Sequence, residues 1–412
     1  MHLFFLMLFI FFTGCATYQS RVSPARDLLV ARQCEKSSKI LSELAAKEDG
    51  DQLVHLLDYG SALQVCGEYK SSNQIFLKAE KLADEIDYHS VTRIAGATLL
   101  NEEMIQYKGD TFEKLFLNVS LALNFMQLGQ FDDALVEVRK INQKFQKYKA
   151  EDKKNFELSP FSKYLSAMIW EADHKLDDAC IDYRDAYLLD PTYRKIGLDT
   201  LRACWRAHRT DEFNQVAKKL LATEEEIKDA KSPANAELIL IFMQGWGPRK
   251  QSRPGAPTFP ILVSVPSETH FLKAEISDEK NKSSWATYRS EPVYSIEKAA
   301  INTLDADYNS LVARRIGARV TKEVLADQLR QKNQVLGNIA WLVMVASERA
   351  DLRQWSIFPR TVHVIRIPVK PGQHTVHLTG LGIALNDSEK MPDLDFKINA
   401  GEKKIQLVRS LK

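Results

Sequence analysis

The sequence predicts a mostly α-helical protein: an N-terminal α-solenoid of stacked helix pairs, followed by a C-terminal α+β domain with antiparallel strands. Three observations predict it. Residues 26–230 contain almost no proline and read as consecutive amphipathic helices. Within them, small and aromatic residues return at shared offsets. From residue 231 onward, short β-rich runs divided by Gly and Pro replace the helical period.

Ahead of the helices stands MHLFFLMLFIFFTGCATYQS. The apolar run from Leu3 to Phe12 is ten residues long, whereas crossing a bilayer takes about 20. It fits the apolar core of a signal peptide over residues 1–14, although Met1-His2 brings no Lys or Arg. Phe12-Thr13-Gly14-Cys15 resembles a bacterial lipobox, with Phe12 where Leu is usual. That resemblance implies an acylated Cys15 as the mature N-terminus, so the first partner is a membrane, reached through the N-terminal lipid. Ala16 stands where Asp often retains lipoproteins in the inner membrane, which points to the outer membrane, facing the periplasm. The polar residues 15–25 read as a lipidated tether. An ordinary cleaved signal with an incidental Cys is the alternative.

The 412 residues suggest two or three domains, and 45% hydrophobic with 27% charged residues is a globular composition. A net charge of +2 gives no reason to expect nucleic acid. Cys34, Cys66, Cys180 and Cys204 form no C-x-x-C and have no His at zinc-ligand spacing. Each falls in a helical pattern, which favours separate buried thiols. Cys180 and Cys204 lie on adjoining helices, where a disulfide is also possible.

The repeat is carried by particular residues. Gly60, Leu63, Gly67, Tyr69, Ser72, Phe76 and Ala79 match Ala122, Phe125, Gly129, Phe131, Ala134, Val138 and Ile141 in order. Ala167, Trp170, Leu176, Ala179, Tyr183 and Ala186, then Pro191, continue it, and Leu201, Cys204, Phe213 and Ala217 form a weaker fourth match. Ala179 to Phe213 is 34 residues, but Ala134 to Ala179 is 45 and Ser72 to Ala134 is 62. The pattern resembles the tetratricopeptide repeat (TPR), two antiparallel helices in about 34 residues. Single pairs cannot bury their apolar faces, so neighbours stack. The resemblance implies a concave face, lined by first helices, that binds a partner protein.

In the second half, ELILIFMQ (237–244) reads as a strand and 245–260 as an exposed Pro/Gly-rich loop. PILVSV, THFLKAEI and WATYRS read as strands, and residues 295–350 as helical. NQVLGNIAWLVMVASERAD is apolar nearly all round, which predicts a helix central in the core. RTVHVIRIPVK and QHTVHLTGLGI, joined at Pro371-Gly372, predict a hairpin, and DLDFKINAGEKKIQLVRSL another strand pair. ERADLRQWSIFPRTVHVIRIPVKPGQHTV resembles a family of bacterial lipoproteins that join TPR-like repeats to such a domain. That likeness implies an envelope location and no established activity.

No hydrolase, zinc-protease, phosphate-loop or dinucleotide motif occurs, and nothing implies a cofactor. His374 and His377 are three apart on a strand, so their rings diverge and share no metal. Asp351, Arg353 and Trp355 form the most site-like cluster, able to clamp a partner or to tie a helix-to-strand junction. The expected function is a non-enzymatic, membrane-anchored scaffold of the cell envelope with an unidentified envelope protein on the concave face. The alternative is an envelope hydrolase, for which a Ser–His contact or converging carboxylates in a C-terminal cleft would speak.

Overall fold

The computed structural model describes residues 17–93, 106–232, 236–278, 281–346 and 348–412. Ten helices fall into five pairs: α1 (Tyr18–Val30) with α2 (Cys34–Ala45), α3 (Gln52–Val65) with α4 (Tyr69–Arg93), and α5 (Thr111–Gln127) with α6 (Phe131–Ala150). Then come α7 (Pro160–Ala172) with α8 (Leu176–Leu189), α9 (Arg194–Arg206) with α10 (Thr210–Leu220), and a short α11 (Glu224–Ala230). This is a TPR-like solenoid. Every pair turns through one residue at positive φ: Arg32, Gly67, Gly129, His174 and His208. In each turn the next N–H reaches back five residues, as Glu68 does to Leu63 and Arg209 to Cys204, which satisfies carbonyls at the helix end. Arg32 to Gly67 is 35 residues, so α1 and α2 form one more repeat in step with the next.

The repeat pattern has direct packing reasons. A Cβ on Gly60 would lie 2.6 Å from the Phe76 ring, so only glycine lets α3 and α4 meet there. At the same crossings Ser37 Oγ donates to the Ala25 carbonyl (2.8 Å) and Ser72 Oγ to the Gly60 carbonyl (2.7 Å), exactly one repeat apart in role.

Residues 18–25, expected to belong to a tether, instead form most of α1. Tyr18, Val22, Ala25 and Leu29 are buried against the next pair. That burial offsets the intrahelical bond lost at Pro24. Cys15 and residues 1–14, expected to form a signal peptide, lie outside the described residues. The cysteines are not separate thiols: Cys34 bonds Cys66 and Cys180 bonds Cys204. Each disulfide ties the second helix of one pair to the first of the next. Stacking brings the Cα atoms to 5.9 and 4.7 Å, within bridging range.

The C-terminal half is a two-sheet sandwich with helical and hairpin additions. Its strands are β1 (Ala236–Gln244), β2 (Arg249–Arg253), β3 (Ala256–Val263), β4 (Phe271–Asp278), β5 (Asn281–Arg289), β6 (Glu291–Ser295), β7 (Thr361–Val369), β8 (Gly372–Leu381), β9 (Asp387–Lys390), β10 (Leu394–Ile398) and β11 (Lys403–Arg409). One sheet runs β11-β1-β7-β6, and the other β10-β8-β4-β5 with β9 beside β8. Pairing is antiparallel except for β1 with β11, which is parallel. All nine residues of β1 are buried because both its faces are covered. Leu238, Leu240 and Phe242 enter the core between the sheets, and Ile239, Ile241 and Met243 join the core shared with the repeats.

Three sequence expectations change here. The segment 245–260 is no exposed loop: β2 and β3 pair within it, and Trp246 is buried. The two expected hairpins are corners between sheets. Pro371-Gly372 carries the chain from β7 in one sheet to β8 in the other, and 399–402 does the same from β10 to β11. A turn signal fixes a reversal but not the sheet that receives the strand. Finally α12 (Ile296–Lys332) and α13 (Gln334–Ala346) form a helical hairpin that projects from the body. α13, expected in the core, exposes Val335, Leu336, Ile339 and Leu342.

Candidate binding cavity at the junction of the two halves

The stretch 351–358 leaves the α12–α13 hairpin and runs along the first helices of the repeats. Arg353 donates from Nε and Nη2 to the two carboxylate oxygens of Asp351 (2.9 and 2.7 Å) and from Nη1 to Asp51 (3.2 Å) before α3. Burial works against the Arg353 charge, but the hydrogen bond and the charge of Asp351, with Asp51 behind it, hold it firmly charged. Burial alone would raise the Asp351 carboxyl, but Arg353 keeps it below the ordinary range.

Trp355 is the plug. Its indole donates to Ser61 Oγ of α3 (2.7 Å) and its backbone N–H to Glu113 of α5 (3.0 Å). The ring lies 4.5 Å from that of Phe358 and 5.8 Å from Phe76. The N–H groups of Ser356 and Ile357 both donate to Asp58 Oδ1 of α3 (2.8 and 2.9 Å), and Tyr18 hydrogen-bonds the other oxygen. From the far side, Arg249 of β2 donates to the Ser356 carbonyl (2.8 Å) and Lys250 Nζ to that of Arg353 (3.0 Å). Asp351, Arg353 and Trp355 are thus gathered at one place, where they bind the chain's own repeats.

Further along the same inner face the contact is ionic. Arg366 of β7 meets Glu237 of β1, Glu171 of α7 (2.9 Å) and Asp199 of α9 (3.8 Å), and Tyr183 accepts another of its bonds (3.1 Å). Lys403 of β11 adds a contact to Glu237 (2.9 Å). Burial would raise the Glu237 carboxyl, but Arg366 and Lys403 bring it down to about 2. The inner face expected to hold a partner is therefore occupied by the chain itself.

Beside Trp355 a cavity of about 920 Å³ opens between the 106–113 turn, the β2–β3 hairpin and α12. Phe112, Leu262, Leu304, Leu311, Trp355 and Phe358 supply apolar walls, and Asp110, Glu113, Lys250, Asp307, Asp351 and Arg353 charged ones. Burial, with the Asp110 charge behind it, pushes the Glu113 carboxyl up to about 7. Tyr107 donates to this carboxyl (2.5 Å), as does the Asp110 backbone N–H (2.9 Å). Asp307 is also raised, by burial and then by Asp110. Asp110, Glu113, Asp307 and Asp351 thus converge on one cavity, the feature that would speak for the hydrolase alternative, while its apolar walls suit binding.

The Ser–His contact of a hydrolase does occur, between Ser290 Oγ and His363 Nδ1 (3.1 Å), but away from this cavity. Both residues are buried, Ser290 also accepts the Leu272 N–H (2.8 Å), and burial lowers His363 to about 3. The contact ties strands together. His374 and His377 part as expected: one ring stacks on Phe396 and the other meets Asp393 (2.8 Å). Among the described residues no three His, Cys, Asp or Glu side chains are placed to hold a metal ion.

Asp58, Glu113 and Arg366 were not singled out in the sequence. Asp58 carried a usable signal, a lone carboxylate inside the apolar run QLVHLLDYGSALQV. Asp110-Thr111-Phe112-Glu113 has the form of a capping box, which marks a helix start but not the contact to Trp355.

The fold and its cavity define a class: a TPR-like solenoid whose inner face is closed by a β-sandwich of the same chain. No protein-family model matches the chain, and no curated protein matches it. Solved structures are similar to about half of it, TPR-like repeat proteins among them. MamA from Desulfovibrio magneticus RS-1 is 16% identical, with a TM-score of 0.31, covering 51% of this chain and 94% of that one. The TPR-like repeats of a kinesin light chain from Podosopora anserina are 13% identical, with a TM-score of 0.33, covering 52% and 94%. BtubC from P. vanneervenii is 12% identical, with a TM-score of 0.34, covering 51% and 79%.

Proposed function

We propose that this protein is a non-enzymatic interaction scaffold of the bacterial cell envelope, held to the outer membrane through an acylated Cys15 and facing the periplasm. The observation that carries the reading is the junction cavity. Both halves build it, and its apolar walls and charged groups are open to a partner segment. The repeats' inner face holds the C-terminal domain in place, so the partner protein takes the cavity with an extended segment. Asp351 and Arg353 present charge to that segment while keeping their structural contacts, and Trp355 forms the floor. Two disulfides suit an oxidising compartment.

A photo-crosslinking amino acid at Leu304, inside the cavity, should trap a discrete envelope protein in living cells. The same group at Val136, exposed on α6, should not. Adducts from Val136 alone would move the partner to the outer repeat surface and sink the cavity reading. Cys15→Ser should abolish incorporation of labelled palmitate; a retained label would end the anchor reading.

A further inference from the structure

We propose that the α12–α13 hairpin is a membrane-contacting arm, which lays α13 on an anionic lipid surface beside the anchor. Val335, Leu336, Ile339 and Leu342 are 66, 59, 54 and 63% exposed. No Asp, Glu, Lys or Arg occurs between Lys332 and Glu348. On α12, Ile316, Val320 and Val324 are exposed at four-residue spacing, a second apolar stripe. Exposed apolar surface of this extent marks a site of association.

Charge selects the occupant. Residues 311–346 carry six cations (Arg314, Arg315, Arg319, Lys322, Arg330 and Lys332) and two acids (Glu323 and Asp327), a net +4. Arg314, Arg315 and Lys322 line the junction cavity and Arg330 pairs with both acids, while Arg319 and Lys332 are exposed on the arm itself. Two copies would bring like charges together. An anionic headgroup layer is complementary to them, and an apolar face with a cationic flank is what interfacial helices present. α13 has 13 residues, about 20 Å long at 1.5 Å each, too short to cross about 30 Å of hydrocarbon. Among the described residues no helix is long and apolar enough to cross a membrane, so the arm lies at the interface.

Position agrees. Arg315 donates to the Arg349 carbonyl (2.7 Å) where the arm joins the body, and Gln19 Nε2 of α1 donates to the Leu352 carbonyl (3.0 Å). The start of the folded body is therefore at the base of the arm. This last point rests on the reading of Cys15 as the anchor; the exposure and the charge do not.

The test uses the full chain on vesicles of phosphatidylglycerol and phosphatidylcholine, with Ile339→Cys carrying an environment-sensitive fluorophore. Lipids with brominated chains should quench the label at 339 and leave one at Val136→Cys untouched. With Cys15→Ser, the chain should still partition onto these vesicles, and adding Leu336→Asp and Leu342→Asp should weaken that partition roughly tenfold or more. A label at 339 that stays in water on a vesicle-bound chain overturns the arm and leaves the anchor standing. Shielding of the label without lipid, growing with protein concentration, overturns it in favour of a protein occupant.

Discussion

Helices α7 and α13 are both 13 residues long, and their fates are opposite. α7 contains Lys163 and Glu171, yet twelve of its residues are buried. α13 contains no charge, yet much of its described surface meets solvent. The difference lies in what the rest of the chain supplies. α7 faces neighbouring repeats and the first sheet. Its charges find partners there: Lys163 meets Asp182, and Glu171 meets Arg206 and Arg366. α13 packs on α12 and little else. Hydropathy measures how strongly a helix seeks cover, and the fold decides whether cover arrives. A buried charge is tolerated when its counter-charge is fixed in place, and becomes costly when that partner is taken away.

The comparison can be broken most strongly at Arg366. Arg366→Ala leaves Glu171, Glu237 and Asp199 facing one another with less cation among them, and should cost about 3–5 kcal/mol in urea unfolding. Cys180→Ser combined with Cys204→Ser comes next. It frees α8 from α9 beside α7 and should cost roughly 3 kcal/mol by the chain-entropy estimate for a 24-residue separation. The control puts both chains in reductant, which also opens Cys34–Cys66, and there native and variant should converge.

Glu113 sharpens the comparison through pH. Its carboxyl titrates at about 7 when folded, above the ordinary value of 4.5. Between these pH values the unfolded chain has already released a proton that the folded chain retains. This group's contribution to stability is therefore fully present below pH 4.5, and it is lost as pH rises to about 7. Glu113→Gln should remove that slope, a change of up to roughly 3 kcal/mol across the window, superimposed on a constant loss of about 1 kcal/mol from the capping bond. Unfolding midpoints at several pH values give the slope; an unchanged slope would mean Glu113 is ionised throughout. The smallest effect belongs to the arm. Leu336→Ser should change stability by less than about 0.5 kcal/mol, whereas a loss of several kcal/mol would show that α13 is covered after all.

Much of the repeat half was legible in the sequence. The positions of Gly60, Gly67, Phe76, Gly129 and Ala134 answer to contacts within one helix pair or its turn, and local patterns record local constraints. The first repeat escaped notice because Arg32 takes the place held by Gly67 and Gly129, and because Pro24 suggests a break. The sandwich was less legible. Alternation locates β7, β8, β10 and β11, but β7 and β11 both pair with β1, more than a hundred residues away, and β8 with the similarly remote β4. The repeat register marked Cys180 and Cys204 as a possible pair, but Cys34–Cys66 had no such mark because the first repeat was not recognised. Of the cavity, Asp351, Arg353 and Trp355 were visible as an unusual cluster. Glu113 and the apolar walls were not, because three remote segments must meet before the space between them exists.

The parallel pairing of β1 with β11 has a consequence for the order of events during synthesis. Gln127 of α5 donates to the Ile405 carbonyl (3.3 Å) and accepts the Leu407 N–H (3.3 Å), so the last strand rests directly on a helix made almost three hundred residues earlier. Helices that emerge first must wait, inner side bare, until the final dozen residues arrive. The growing chain is in that state for most of its synthesis, and a stop codon a few residues early would leave it there. Chaperone demand should therefore rise as synthesis slows, and the strand β11 should tolerate truncation less than the surface turns do.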